Sequence, residues 1–364
     1  MEYRKLPKGD EQISIIGFGG SGIHQSGEEE AAAVINKAID SGINYFDMAA
    51  SEAQAFDYYR RAFLGKRDKV YLQMHFGADY SSGKYGWTTE LGRIEHGMEW
   101  LLKKLDTDYI DFGFMHCLDE KEDLEHYISG GVLQHIQQLK EQGVVRHIGL
   151  SSHNPDIVSK VLDMGCIDVV MFSINPAYDY RQGEYAIGEV DERQALYQRC
   201  LKENVGITVM KPFGGGQLLD ERLSPFKRAL SRYQCIQYAL DKPGVINVLP
   251  GFRNMEDLEQ VLGYLDASAD ERDYSVLADF APAEASGKCV YCSHCHPCPK
   301  GLDIALINKY YDLARIGDEL AKDHYLNLAL HAGDCIKCGH CDKRCPFNVE
   351  QMKRMEEIKD YFGI

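Results

Sequence analysis

TTELGRIEHGMEWLLKKLDTDYIDFGFM, residues 88–115, holds one full unit of the pattern that decides the fold. Its first part, through Leu105, reads as a helix with a Thr cap, acids in its first turn and Lys103-Lys104 at its end, which suits the helix dipole. Its last part, YIDFGFM (109–115), is a short apolar run of β-type residues. The same alternation extends both ways along the chain. Strand candidates are SIIGFGG (14–20), INYFDM (43–48), KVYLQM (69–74), VRHIGLSS (145–152), DVVMFSI (168–174), GITVMK (206–211) and GVINVLP (244–250). With YIDFGFM that makes eight β-runs, each followed by a helical segment, the count for a (β/α)₈ barrel, with a doubly wound open sheet as the alternative.

Two stretches interrupt the alternation. NPAYDYRQGEYAIGEV (175–190) is a long, Tyr-rich insertion after the sixth strand, on the face where barrel active sites are built. DFAPAEASGK (279–288) has the composition of a linker, so a barrel is expected over 1–280 and a second domain over 281–364. The 364 residues carry a formal net charge of −16, which argues against nucleic acid or anionic lipid as the main partner. No apolar run approaches the ~18 residues of a spanning helix, and the opening MEYRKLPKGDEQ lacks a secretory apolar core. A cytoplasmic protein that takes a small-molecule substrate and no membrane is expected.

Of the twelve cysteines, Cys117, Cys166, Cys200 and Cys235 are scattered and eight fall between 289 and 345. Cys289, Cys292, Cys295 and Cys298-Pro299 are spaced by two residues; Cys335, Cys338, Cys341 and Cys345-Pro346 follow after a helical spacer. Three thiolates at such spacing can wrap one face of a cubane, and the fourth, before Pro, ligates the other cluster. That rule groups Cys289, Cys292, Cys295 and Cys345 on one [4Fe–4S] cluster, and Cys335, Cys338, Cys341 and Cys298 on a second. Paired Zn(Cys)₄ sites are the alternative. His294, His296 and His340 lie among the cysteines and read as supporting rather than ligating residues. The block resembles bacterial two-cluster ferredoxin modules, with a first motif one residue shorter before its Cys-Pro.

IGFGG (16–20), GINYFDMA (42–49), GKRDKVYL (65–72), LDTDYIDFGFMH (105–116), IGLSS (148–152), MKPFGGG (210–216) and PGFRNMEDLE (250–259) together resemble the aldo-keto reductase family, over about residues 3–265. With the cysteine block, the chain resembles the branch of that family with a C-terminal 4Fe–4S domain. The resemblance implies hydride transfer between NADP(H) and a carbonyl, with clusters exchanging electrons with a redox partner protein. It also implies a catalytic Asp, Tyr, Lys and His. The Asp and His fall on Asp47 and His116, whereas the Tyr and Lys positions hold Glu52 and His75. Glu52 would then be the acid, and His75 would tune it or act itself. Tyr58 and Tyr59 lie nearby in sequence.

The cofactor positions implied are Gly19, Gly20, Ser151, Ser152, Gly251, Arg253 and Asn254, with Met171, Met210 and Val261 where the family has other residues. Gly214, Gly215 and Gly216 permit close backbone approach to a pyrophosphate, and an Arg253 fork suits a 2′-phosphate. Tyr178, Tyr180, Tyr185 and the Trp87 loop suggest a pocket that stacks a sugar or aromatic ring, and Cys117 is the lone cysteine nearest the chemistry. Two readings stand beside the reductase. Asp47, Glu52, His75 and His116, with His153, could ligate a metal for a lyase or isomerase. A barrel without turnover could serve as a nucleotide or redox sensor.

Overall fold

In the computed structural model, residues 1–181, 185–279, 287–315 and 319–364 are described. An antiparallel hairpin, β1 (Tyr3–Lys5) and β2 (Gln12–Ser14), opens the chain. β3 (Phe18–Gly19), β4 (Tyr45–Asp47) and β5 (Tyr71–Phe76) follow, then a small hairpin of β6 (Ala78–Asp79) and β7 (Gly86–Trp87). β8 (Ile110–Met115), β9 (Val145–Ser152), β10 (Val169–Ser173), β11 (Gly206–Met210) and β12 (Val245–Val248) complete the strands. All but the two hairpins join one parallel sheet in the order β3-β4-β5-β8-β9-β10-β11-β12. Parallel bridges from Ile16 to Val248 and from Gly19 to Gly251 bring its two edges together. The expected eight-stranded barrel is therefore what forms.

Helices cover its outside: α1 (Glu28–Asp40), α2 (Ala55–Phe63), α3 (Leu91–Leu105), α4 (Lys121–Ser129), α5 (Val132–Glu141) and α6 (Pro155–Asp163). α7 (Pro176–Asp179), α8 (Val190–Lys202), α9 (Arg232–Leu240), α10 (Met255–Leu262) and α11 (Ala269–Arg272) continue the ring. Both faces of the sheet are thus buried, which is why β8 and β10 are buried along their whole length, with Asp111 on β8 paired to Arg67 and Arg146. Inside the barrel, Tyr45, Phe112, Phe114, Val169 and Ile246 pack with Leu6 and Ile13 from the hairpin side. The hairpin therefore plugs the bottom and leaves the C-terminal mouth for function.

The helix expected from Thr88 begins instead at Leu91, with Glu90 as N-cap, no side-chain cap and no acid in its first turn. Thr88 is held elsewhere: its N–H donates to Gly77 O at 2.9 Å and its Oγ1 accepts from Glu90 N at 3.1 Å. The 175–190 insertion contains α7, and its residues 182–184 lie outside the described residues. So do residues 280–286, and with them the expected boundary at 280/281.

Beyond residue 287 the described chain is helical, with no strand: α12 (Ile304–Arg315), α13 (Glu319–Leu326), α14 (His340–Arg344) and α15 (Gln351–Phe362). These surround a small core of Leu302, Ile307, Tyr325, Met355 and Ile358. Val290, Phe347 and Val349 belong to the larger apolar core of the barrel. No helix among the described residues is long and apolar enough to cross a membrane.

Candidate active site and cysteine quartets

β4, β5 and β8 deliver three ionisable side chains to the barrel mouth. Asp47 ends β4, His75 lies on β5 and His116 follows β8 directly; all three are buried. His75 Nε2 is 2.7 Å from Asp47 Oδ1, and His75 Nδ1 is 2.9 Å from His116 Nδ1. His116 Nε2 is in turn 2.8 Å from the hydroxyl of Tyr85, in the turn between β6 and β7. Gln73, also on β5, fixes the inner end. Its Oε1 accepts from Tyr45 OH at 2.7 Å, which aims its amide N–H at Asp47 Oδ1, 3.1 Å away.

These contacts select one set of tautomers. With one proton per ring, Asp47, an acceptor when ionised, takes the proton on His75 Nε2, which leaves His75 Nδ1 a lone pair. His116 must then donate from Nδ1, which leaves its Nε2 to accept the Tyr85 hydroxyl proton. The result is a head-to-tail chain: Tyr85 to His116 to His75 to Asp47. Burial, joined by the neighbouring imidazoles of His75 and His153, holds His116 well below the usual imidazole range, so it is neutral near pH 7. Burial pushes the Tyr85 phenol up to about 12, so it is protonated there.

A second polar group faces the first. His153, after β9, presents Nδ1 to Asp119 Oδ2 at 2.8 Å and Nε2 to Lys211 Nζ at 2.9 Å. Donation from Lys211 requires a lone pair on Nε2, so His153 is also neutral. Burial leads in lowering its pKa, and the Lys211 charge adds to it against the Asp119 hydrogen bond. The Lys211 ammonium lies 3.4 Å from the centre of the Tyr185 ring, which stacks on His153.

Both groups open into one cavity of about 840 Å³. Asp47, His75, Tyr85, His116, His153 and Lys211 line one part; Gly215, Gly216, Arg232, Arg253 and Asp257 line another, with Ser151, Met171, Met210 and Gly19 also on its wall. Gly215 and Gly216 have φ of 67° and 92°, and a Cβ at either would meet open space, so this loop exposes bare backbone. Arg253 grips Asp257 through Nε at 2.8 Å and Nη2 at 3.0 Å.

Not every expected residue reaches the cavity. Glu52 does not line it: the chain turns there, its backbone bridges Lys84, and α2 starts at Ala55. Asp47, Glu52, His75 and His116 therefore do not form one metal-ligand set, and three of them are already bonded in sequence to each other. Among the described residues the one compact ligand-type group is Cys117, Asp119 and His153. Tyr58 and Tyr59 are buried on α2, away from the cavity. Ser152 donates to Asp119 Oδ1 at 3.0 Å, Asn254 caps α10, and Gly214 turns the chain beside Leu218. Gly20 backs onto Asp47 O and the Tyr59 hydroxyl, where a Cβ would clash, while Gly251 and Val261 do line the cavity. Of the aromatic residues, Tyr185 lines it, Tyr178 and Tyr180 are buried, and Trp87 donates to His116 O at 3.0 Å.

Sequence reasoning missed Tyr85, Lys211, Asp119, Gln73 and Arg232. For Tyr85 a signal existed: it lies in a polar loop between a strand and its helix, on the face that carries barrel chemistry.

The eight clustered cysteines line two small cavities in fours. Cys289, Cys292, Cys295 and Cys345 line one; Cys298, Cys335, Cys338 and Cys341 line the other. The histidines between them are engaged elsewhere: His294 with Asp273 and His296 with Asp303, both at 3.3 Å, and His340 with Arg344 at 3.1 Å. Beside the first quartet, on the barrel, Lys242 is buried with no hydrogen-bond partner for Nζ among the described residues, and Nζ lies 3.7 Å over the Tyr238 ring.

A closed parallel barrel with ionisable groups at its strand C-termini is an enzyme scaffold. The aldo/keto reductase family model matches residues 15–234, more than half of the chain. The chain belongs to the aldo/keto reductase family and is an oxidoreductase of that type. It is 24% identical over 245 residues to the aldo-keto reductase yakc [NADP(+)] of Schizosaccharomyces pombe, covering 62% of this chain and 68% of that one. It is 25% identical over 307 residues to the L-glyceraldehyde 3-phosphate reductase of Escherichia coli O157:H7, covering 78% and 85%. Among solved structures it is similar to the aldo-keto reductase AKR11C1 from Bacillus halodurans, at a TM-score of 0.62 and 22% identity, over 78% of this chain and 97% of that one.

Proposed function

We propose that the chain interconverts a hydroxyl and a carbonyl on a small polar substrate with NADP(H), and that its C-terminal region holds two [4Fe–4S] clusters. One observation carries the first half. A single cavity joins the Asp47–His75–His116–Tyr85 chain to the glycine and arginine loop. In this reading Gly215 and Gly216 offer backbone to the pyrophosphate, Arg253 and Arg232 attract the 2′-phosphate, and Ser151 with Met210 flank the nicotinamide. Gly19 and Gly251 leave room along the wall. When bound, the nicotinamide supplies or accepts the hydride. His153 and Lys211 hold substrate hydroxyls or a phosphate, and the Tyr185 face stacks a sugar-like skeleton. The E. coli relative named for L-glyceraldehyde 3-phosphate fits that substrate class.

The donor set supports the clusters. Each cavity is lined by four sulfurs, the histidines beside them, His294 and His340, are engaged with Asp273 and Arg344, and the three-cysteine runs ending in Cys-Pro suit a cubane. Lys242 supports it too. A buried ammonium without a hydrogen-bond partner is costly, and an anionic cluster beside Cys289 and Cys292 would offset that cost. Clusters supply one-electron transfer, for which a redox partner protein is the natural counterpart.

Anaerobic titration of NADPH into the as-isolated protein, with iron and acid-labile sulfide measured alongside, tests both halves. Saturable binding, weaker for NADH, and about eight iron per chain are expected. Iron without nucleotide binding would sink the oxidoreductase chemistry proposed for the cavity; binding without iron would sink the clusters.

A further inference from the structure

We infer that Tyr85 is the catalytic residue that exchanges the proton with the substrate oxygen, and that His116, His75 and Asp47 behind it form a relay. The inference rests on the proposed hydroxyl–carbonyl chemistry and deepens it. Two of the four residues expected for catalysis are replaced, at Glu52 and His75, and Glu52 does not line the cavity. The site therefore needs a proton-exchanging group, and the cavity wall offers few.

Among the tyrosines, Tyr80 donates its hydroxyl to Ala50 O at 2.9 Å, and the buried Tyr59 hydroxyl lies against Gly20. Tyr185 stacks on His153 beneath Lys211, in the second polar group of the cavity. Tyr85 both lines the cavity and ends a hydrogen-bonded path to a buried carboxylate. It reaches the mouth from an unexpected place. The β6–β7 hairpin folds the segment after β5 back across the opening, with Ala78 opposite Trp87 and Asp79 opposite Gly86. Trp87 fastens it by donating to His116 O.

The direction of the chain gives the step. In oxidation, the carbinol carbon loses hydride to the oxidised nicotinamide and the electrons of the O–H bond form the C=O π bond. The hydroxyl proton passes to Tyr85 Oη as the phenol proton moves to His116 Nε2. His116 Nδ1–H then protonates His75 Nδ1, and His75 Nε2–H protonates Asp47. A neutral alcohol, cationic nicotinamide and carboxylate become a neutral carbonyl, reduced nicotinamide and carboxylic acid, so atoms and charge balance. Reduction runs the same path backwards, with Asp47 as the proton source. Between turnovers the proton returns to water through Tyr85, which is 42% exposed. His75 thus links the carboxylate to the acid as a two-ended carrier, accepting at Nδ1 and donating from Nε2.

The test pairs kinetics with a readout that needs no turnover. With NADPH and L-glyceraldehyde 3-phosphate as the probe, Tyr85→Phe should lower kcat by about 100-fold or more, the usual weight of general acid–base catalysis. NADPH affinity should hold within about two-fold, because the phenol sits at the substrate end. In the nucleotide-free protein, ¹⁵N spectra of the imidazoles should show His116 protonated on Nδ1, with its Nε2 signal moving in Tyr85→Phe. Retained kcat in Tyr85→Phe, a comparable loss in Glu52→Gln instead, or a His116 proton on Nε2 would each overturn the inference while the proposed function stands. A wild-type protein that binds NADPH but does not turn over the probe or its unphosphorylated form would remove both.

Discussion

Asp47 and His116 both line the cavity, and the partners the fold gives them are His75 and Tyr85. His75 can accept on one ring nitrogen and donate from the other, so it passes a proton where a lysine would only hold a charge. The environment keeps the outer imidazole neutral. Because burial and its neighbours depress His116 in the fold, the unfolded chain binds a proton near pH 6.5 that the folded chain refuses. Stability from this group is therefore present above about pH 6.5 and is lost as pH falls, by up to ~1.4 kcal/mol per pH unit until the folded pKa is reached. His116→Gln should flatten the fall in unfolding midpoint between pH 7 and 5; an unchanged slope would assign the acid sensitivity to other groups. Residue types at 47, 75 and 116 were legible in the sequence. Their order in a chain was not, because it depends on ring orientations set by Gln73, Tyr45 and the packing around them.

Elements carry the substrate side of the cavity. α7, α8 and α9 meet at the carboxylate of Asp179, whose Oδ1 accepts from Arg193 Nε at 2.9 Å and Tyr197 OH at 2.6 Å, and whose Oδ2 accepts from Tyr238 OH at 2.8 Å. Arg193 is fully buried and also donates to Ile187 O at 3.1 Å, so the network ties the insertion after β10 to the two helices that follow. Asp179→Asn leaves that guanidinium without its counter-charge and should cost about 3–5 kcal/mol, read as a drop in the denaturant midpoint. A loss below about 1 kcal/mol would mean the network is dispensable. Periodicity marked 175–190 as an insertion on the functional face but gave no hint that its anchor is an ion pair, since Asp179 and Arg193 are separated by a stretch without regular period. The start of α3 was misread for a similar reason. Thr88 has the chemistry of a cap, but the β6–β7 hairpin claims it first.

At the scale of the molecule, the barrel and the cysteine-bearing helices share apolar core through Val290, Phe347 and Val349. The quartets bridge sequence rather than follow it: Cys345 stands with the first run and Cys298 with the second. Cysteine-to-serine variants test that crossing. If clusters fill the quartets, Cys298→Ser and Cys335→Ser should remove the same electron paramagnetic resonance signal, and Cys345→Ser should remove the other. Loss of one common signal in Cys298→Ser and Cys295→Ser would mean that each run serves its own site. Lys242 belongs to this scale too, since it is buried between barrel carboxylates, Asp179 and Asp241, and the first quartet.

By itself the sequence determined what is local or regularly spaced. Eight mostly apolar runs alternating with helical segments point to a parallel sheet covered on both faces, and their count points to a barrel. Thiols at intervals of three can reach a common centre, so eight cysteines before and between prolines announce their grouping. The tertiary structure alone decided which side chains share the mouth. Closing the sheet brings the ends of strands far apart in sequence to one rim, and the loops beyond them are aimed by hairpins and ion pairs with no period to read. That is why Tyr85 reaches His116 while Glu52, only five residues past Asp47, turns away.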